Sequence, residues 1–375
     1  MKEFVKKVLE RVPLRNVIVF SSLNDFDCNA GALFQYLIAH GYDKKYTMVW
    51  NTIREDSGKE YAANPKVKVY HEDSRSILKR YYYYVAKYFI WDNHPLTKKR
   101  ADQLSIYSTH GVPPLKTTQG KISIDSVADF ALCPSVASRE WEAREYAVSA
   151  DKLFICDQPR NDYLFRPAKG YLNPLKAQIS NYTKTVLWMP TFRTRQNGEN
   201  DSTAEYYLGI PLIQNREDLE QLNRYLMENG ILLIIKLHPQ QLITNESTSD
   251  MKNIYFMRDN SLDGKSFDIN EIMVETDAML TDYSTVIWDY LLLDRPIGFT
   301  IPDINEYCIG FAVKDPLRYM PGKKIYEKRE LYDFFANLLS GKDEYTEERR
   351  VICKEMHDFT DDKNCERFLK KFGII

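Results

Sequence analysis

"AMLTDYSTVIWDYLLLDRPIGFT", residues 278–300, decides how this chain is read. A short apolar run ends at Thr281, a run with helical spacing begins about Ser284, and a second apolar run, "PIGFT", follows. Strand, tight turn, helix, strand is the rhythm of a parallel α/β unit. The turn consists of Asp282, Tyr283, Ser284 and Thr285. Where a strand hands over to a helix, the first backbone N–H groups point outward and carry partial positive charge, so such a turn suits an anion. The Ser284 and Thr285 hydroxyls add donors to it. Serine also caps helices routinely, and on this stretch alone both readings stand.

The same rhythm runs outward in both directions. Upstream, "NVIVFSS" (16–22) reads as a buried strand and "NAGALFQYLIAHG" (29–41) as a helix closed by glycine. "YTMVWN", "VKVYH", "YFIWDN", "LSIYSTHG", "DFALCPS" and "KLFICDQPRND" complete a first half ending near residue 165. "RPAKGYLNPLKAQISNYTK" carries two prolines and little periodicity, and reads as a linker. A second series then runs from "TVLWMPTFR" through "ILLIIKLHP" and "NIYFMRD" to the opening stretch, and a helical tail closes the chain. The expected architecture is α/β: two Rossmann-like halves facing across a cleft, with ligand at the carboxyl ends of the strands. The expected boundaries are residues 1–170, 171–345 and a tail, 346–375, packing back on the first half.

Charge narrows the partners. Lys plus Arg number 51 and Asp plus Glu 53, a balance that predicts no nucleic-acid partner and leaves phosphate binding to local placement. The six cysteines show no CxxC or Cys/His pairing, the pattern of reduced cytoplasmic thiols. The start, "MKEFVKKVLERVPLRNVIVF", lacks a long apolar core and a cleavage site, so no signal peptide is expected. No window approaches the ~20 apolar residues of a membrane span. "SRSILKRYYYYVAKY" (74–88) reads as an amphipathic basic helix. Its tyrosines either bury rings while keeping hydroxyls wet, or face a lipid surface with Lys79, Arg80 and Lys87.

Four further sites carry chemistry-bearing side chains. "KLHP" (236–239) ends an apolar strand, placing Lys236 and His238 at its edge. "PTFR" (190–193) ends another with Arg193, whose planar fork matches phosphate. "STHGVPPLK" (108–116) holds His110 on a proline-rich turn, where an imidazole can take a proton near neutral pH. "DFD" (25–27) has the form of a metal-binding pair, but such loops are common and no obligatory metal or cofactor is expected. Walker, dinucleotide, zincin and nucleophile-elbow patterns are missing.

In order and spacing, "IVFSS", "STHGVPPLK", "DQPRNDYLF", "VLWMPTFR", "LLIIKLHP", "DAMLTDYSTVIWDYLLLDRPIGF" and "MHDFTDDKNCERF" resemble the CDP-glycerol glycerophosphotransferase family, the teichoic-acid and capsule polymerases and primases of bacteria. The resemblance covers residues 16–370 and implies a GT-B fold with acceptor on the first half and CDP-linked donor on the second. It implies CDP-glycerol or a related CDP-alcohol on the Ser284–Thr285 turn, with Arg193, Lys236, His238 and Asp282 at the donor phosphates. Asp289 would meet a ribose hydroxyl, and His110 would act as general base while CMP leaves. The implied acceptor is a lipid-linked glycan or polymer, reached from the cytoplasm with peripheral contact at the inner membrane face. The family's usual "WHGTPLK" is "THGVPPLK" here. CDP-ribitol transfer, glycosyl transfer from a nucleotide sugar and a silent assembly protein are the alternatives, told apart by product.

Overall fold

In a computed structural model describing residues 8–118, 123–193, 202–237, 250–258, 260–262 and 265–375, each short apolar run named above forms a strand. The chain divides into two units: Met1–Pro113 with Gln119–Phe165 and His357–Ile375, and Pro114–Thr118 with Arg166–Met356.

The first unit holds β1 (Arg15–Ser21), β2 (Thr47–Thr52), β3 (Val67–His71), β4 (Ala86–Trp91), β5 (Leu104–Tyr107), β6 (Phe130–Cys133) and β7 (Leu153–Ile155). All pairs are parallel, in the order β3-β2-β1-β4-β5-β6-β7. Parallel strands are covered on both faces, which is why their sequences run apolar without alternation; Ile18, Val19 and Phe20 on β1 are all fully buried.

The second unit holds β8 (Lys184–Trp188), β9 (Ile231–Lys236), β10 (Ile254–Met257), the short antiparallel pair β11 (Ser261–Leu262) and β12 (Lys265–Ser266), β13 (Ala278–Thr281), β14 (Ile297–Thr300) and β15 (Lys323–Ile325). Its main sheet runs β10-β9-β8-β13-β14-β15, again parallel. In each sheet the order reverses beside the first strand, between β1 and β4 or between β8 and β13. Ligands of doubly wound sheets bind outside the carboxyl ends of the strands at that switch.

Two stretches differ from the sequence reading. The tyrosine-rich helix covers only Ile77–Val85, and β4 begins at the next residue. Pairing of Tyr88–Trp91 with Ile18–Ser21 takes the chain out of helix, tertiary contact overriding local pattern. The tail is two helices in two different units. Thr346–Met356 packs on the helix Val286–Leu291. Asn364–Lys371 belongs to the first unit, where the Asp162 carboxylate accepts from the amides of Asn364 (2.8 Å) and Cys365 (2.9 Å) and Phe368 and Leu369 enter the core. Just before it, buried His357 Nδ1 meets Asp157 at 2.6 Å.

Candidate active site

The switch point of the second unit is built around one buried cation. Arg193, 2% exposed, donates from Nε to Asp303 at 2.7 Å and from Nη1 to Asp282 at 2.9 Å. A second donation, Nη2 to Asp303 at 3.2 Å, makes the Asp303 contact a fork on a carboxylate. Burial alone would lower the Arg193 pKa, but Asp282 and Asp303 overcome it and raise the value. Asp282 also accepts from the Thr191 amide (3.0 Å) and hydroxyl (2.5 Å) and from the Tyr283 amide (2.6 Å), so one carboxylate joins the turn after β8 to the turn after β13. The Tyr283 hydroxyl donates to Asp303 at 3.0 Å, and its ring packs on Tyr307 with centroids 4.4 Å apart. Burial pushes the Tyr283 pKa upward, keeping it a neutral donor.

Ser284 and Thr285 follow this knot and are half-buried, between solvent and the fixed frame. The helix behind them spans only six residues, with Thr285 at its N-cap position, and Ser284 Oγ accepts from the Val286 amide at a long 3.4 Å. The cap is weak, since Thr285 makes no side-chain cap bond to the helix.

In the first unit Asp92, the residue after β4, is fully buried and accepts from the Ala30 amide (3.0 and 3.1 Å) and the Ser108 hydroxyl (2.5 Å). Burial pushes its pKa well above the usual carboxylate range. Exposed His110 sets Nδ1 3.2 Å from the Asp92 main-chain oxygen. A carbonyl only accepts, so Nδ1 carries the proton in the neutral ring and Nε2 the basic lone pair. The Arg160 guanidinium donates to the His110 carbonyl at 3.1 Å, and the Asn29 amide to those of Ser108 (2.8 Å) and Thr109 (2.9 Å). The backbone here is strained: Asp25, Phe26, Cys28 and Thr109 have φ of 61°, 55°, 58° and 61°. Such conformations cost roughly 1–3 kcal/mol each and collect where geometry is imposed.

The residues singled out from sequence fare differently. Ser284, Thr285, Asp282 and Arg193 come together at one switch point, but the Arg193 fork is engaged by two carboxylates and Asp282 is fully buried. Asp289 is 1% exposed. Lys236 ends β9 and is half-buried, while His238 lies outside the described residues. Asp25 of the "DFD" pair accepts from the amides of Ile53 (2.8 Å) and Arg54 (3.0 Å) and from Ser57 Oγ (2.7 Å), a loop staple. Among the described residues no group of three His, Cys, Asp or Glu side chains is placed to hold a metal. Lys79, exposed in either reading of the basic helix, solvated or lipid-facing, is instead 8% exposed and donates to the carbonyls of His71 and Glu72 at 2.9 and 2.7 Å. Asp303 and Asp92 escaped the sequence reading. Asp92 had a signal, since it ends "YFIWD" as Asp282 ends "AMLTD".

Two parallel sheets in this order, each carrying polar side chains at its switch point, define a GT-B type α/β protein. The chain belongs to the CDP-glycerol:poly(glycerophosphate) glycerophosphotransferase family, whose model matches residues 4–372. A teichoic acid glycerol-phosphate transferase of Staphylococcus aureus is 24% identical over 96% of this chain and 94% of its own length. The teichoic acid ribitol-phosphate polymerase TarL of the same species is 26% identical over 86% of this chain, which spans only 58% of that longer protein. The solved wall teichoic acid polymerase TagF, as a histidine variant soaked with CDPG, superposes with a TM-score of 0.76 at 18% identity, covering 98% of this chain and 92% of that one. No helix among the described residues is long and apolar enough to cross a membrane.

Proposed function

We propose that this chain transfers glycerol phosphate from CDP-glycerol to a hydroxyl of a teichoic-acid-type polymer and releases CMP. The observation that carries the reading is the Ser284–Thr285 turn, tied through Asp282 to the turn after β8 at the switch point of a chain that aligns nearly end to end with a glycerol-phosphate transferase. The two hydroxyls and the first amides of the short helix receive the donor pyrophosphate. His238 contacts its phosphates, as the family resemblance implies. Arg193 and Asp282 act from behind the turn, as positioning groups.

The acceptor oxygen attacks the β-phosphorus, the bond from that phosphorus to the bridging oxygen breaks, and CMP departs with the electron pair. His110 Nε2 takes the acceptor proton, since Nδ1–H is fixed on the Asp92 carbonyl. Phosphoryl transfer asks for positioning and charge stabilisation rather than a covalent intermediate. The reading assigns no resident metal, so the rate stays within twofold in excess chelator. The ribitol-phosphate polymerase relative supports a second reading, in which the donor is CDP-ribitol.

The test is CMP release from CDP-glycerol and from CDP-ribitol, with bacterial membranes supplying the acceptor. Release from one donor, lost in folded His110→Gln and reduced in Ser284→Ala, supports the reading and names the alcohol. Release of nucleoside diphosphate from a nucleotide sugar instead overturns it. Peripheral membrane contact belongs to the same proposal, and Ile77 and Leu78, 82% and 60% exposed beside exposed Arg75 and Arg80, support it.

A further inference from the structure

Asp303 stands three residues beyond the end of β14, in a loop with no recognisable motif, yet it is 1% exposed and fully engaged. It takes two guanidinium donors of Arg193 and the hydroxyl of Tyr283, and so reaches both ends of the joint that Asp282 makes from the other side. Arg193 lies over the rings of Tyr283 and Tyr307, 5.3 and 5.8 Å from their centroids, which adds aromatic contact to the joint. The turn carrying Ser284 and Thr285 therefore has its preceding residue clamped by two carboxylates from separate loops.

We infer that Asp303 is a positioning residue for donor binding: through Arg193 and Tyr283 it holds the Ser284–Thr285 turn in its receiving conformation before the donor arrives. The inference rests on the proposed function for the identity of the donor. A preordered turn spares the donor the cost of ordering it in ground state and transition state alike, so loosening the turn weakens binding and leaves kcat nearly unchanged. Arg193 and Tyr283 transmit the effect, and Asp303 itself touches no substrate.

The experiment compares wild type with Asp303→Asn, Asp303→Glu and a control, Asp343→Asn. Asp343 also bonds a buried arginine, Arg349, at 2.5 and 2.9 Å, but it lies beside Ile297 at the other end of β14. Amide exchange of the ligand-free proteins and the steady-state kinetics of CMP release from CDP-glycerol are measured together. In Asp303→Asn, exchange at Tyr283–Val286 accelerates and KM for the donor rises about tenfold with kcat within twofold. Asp303→Glu recovers part of the KM, and Asp343→Asn lowers thermal stability without moving either readout. Unchanged exchange at the turn, or a KM no higher than in Asp343→Asn, overturns the assignment. If wild type releases no CMP, the donor reading falls, and the exchange data alone decide whether Asp303 orders the turn.

Discussion

The two switch points use the same device with opposite electrostatics. Each has an aspartate as the first residue after the strand that adjoins the sheet's first strand, Asp92 after β4 and Asp282 after β13, and each accepts a backbone amide from the segment that follows that first strand. Around Asp282 the frame is ionic, with one guanidinium between two carboxylates and a relaxed backbone. Around Asp92, among the described residues, no cation hydrogen-bonds the carboxyl and the Arg160 charge acts on it from a distance, burial favours the protonated form, and four side-chain-bearing residues nearby adopt positive φ. A buried ion pair tolerates no loss of one partner, whereas a neutral buried carboxyl can be replaced by an amide at little cost. One end is thus rigid by charge, the other shaped by backbone geometry and responsive to protons.

Removing the cation breaks the comparison hardest. Arg193→Met leaves two carboxylates buried without their partner, and urea unfolding should show the second unit destabilised by about 3–5 kcal/mol. His110→Gln comes next: CMP release should fall roughly 10²- to 10⁴-fold with donor KM unchanged, because the base is lost and the donor turn untouched.

A pH series sharpens the contrast. Burial pushes the Glu142 pKa up to about 8 in the first unit, and Asp92 shifts the same way. Between its ordinary value of 4.5 and about 8 the native Glu142 holds a proton that the unfolded chain has released. Stability therefore falls as pH rises through that window, by up to about 1.4 kcal/mol per pH unit for one group, and is fullest below it. Glu142→Gln, which keeps a partner for the Ser138 hydroxyl at 3.1 Å, should flatten the slope. The smallest effect on the fold is expected at Ile77→Asp with Leu78→Asp, within about 0.5 kcal/mol of wild type, while association with anionic liposomes falls severalfold.

Much of this was legible in the sequence because parallel strands are buried on both faces and announce themselves as apolar runs. The turn after β13 was legible too, since strand end, hydroxyls and helix start are adjacent in the chain. Asp303 was not. Its partners lie 20 and 110 residues away, and nothing in "IPDINEY" signals a buried carboxylate. Lys79 misled for the same reason: a lysine in a basic helix looks solvated until the carbonyls it binds, seven and eight residues earlier, are seen.

The return of His357–Ile375 to the first unit also sets an order of events during synthesis. The second unit's chain is complete when Met356 leaves the ribosome, whereas the first must wait with the core face for Phe368 and Leu369 open and Asp157 and Asp162 lacking their distant partners. The half made first is the half finished last, and a nascent chain arrested before residue 357 carries a sheet whose uncovered apolar face is prone to aggregate.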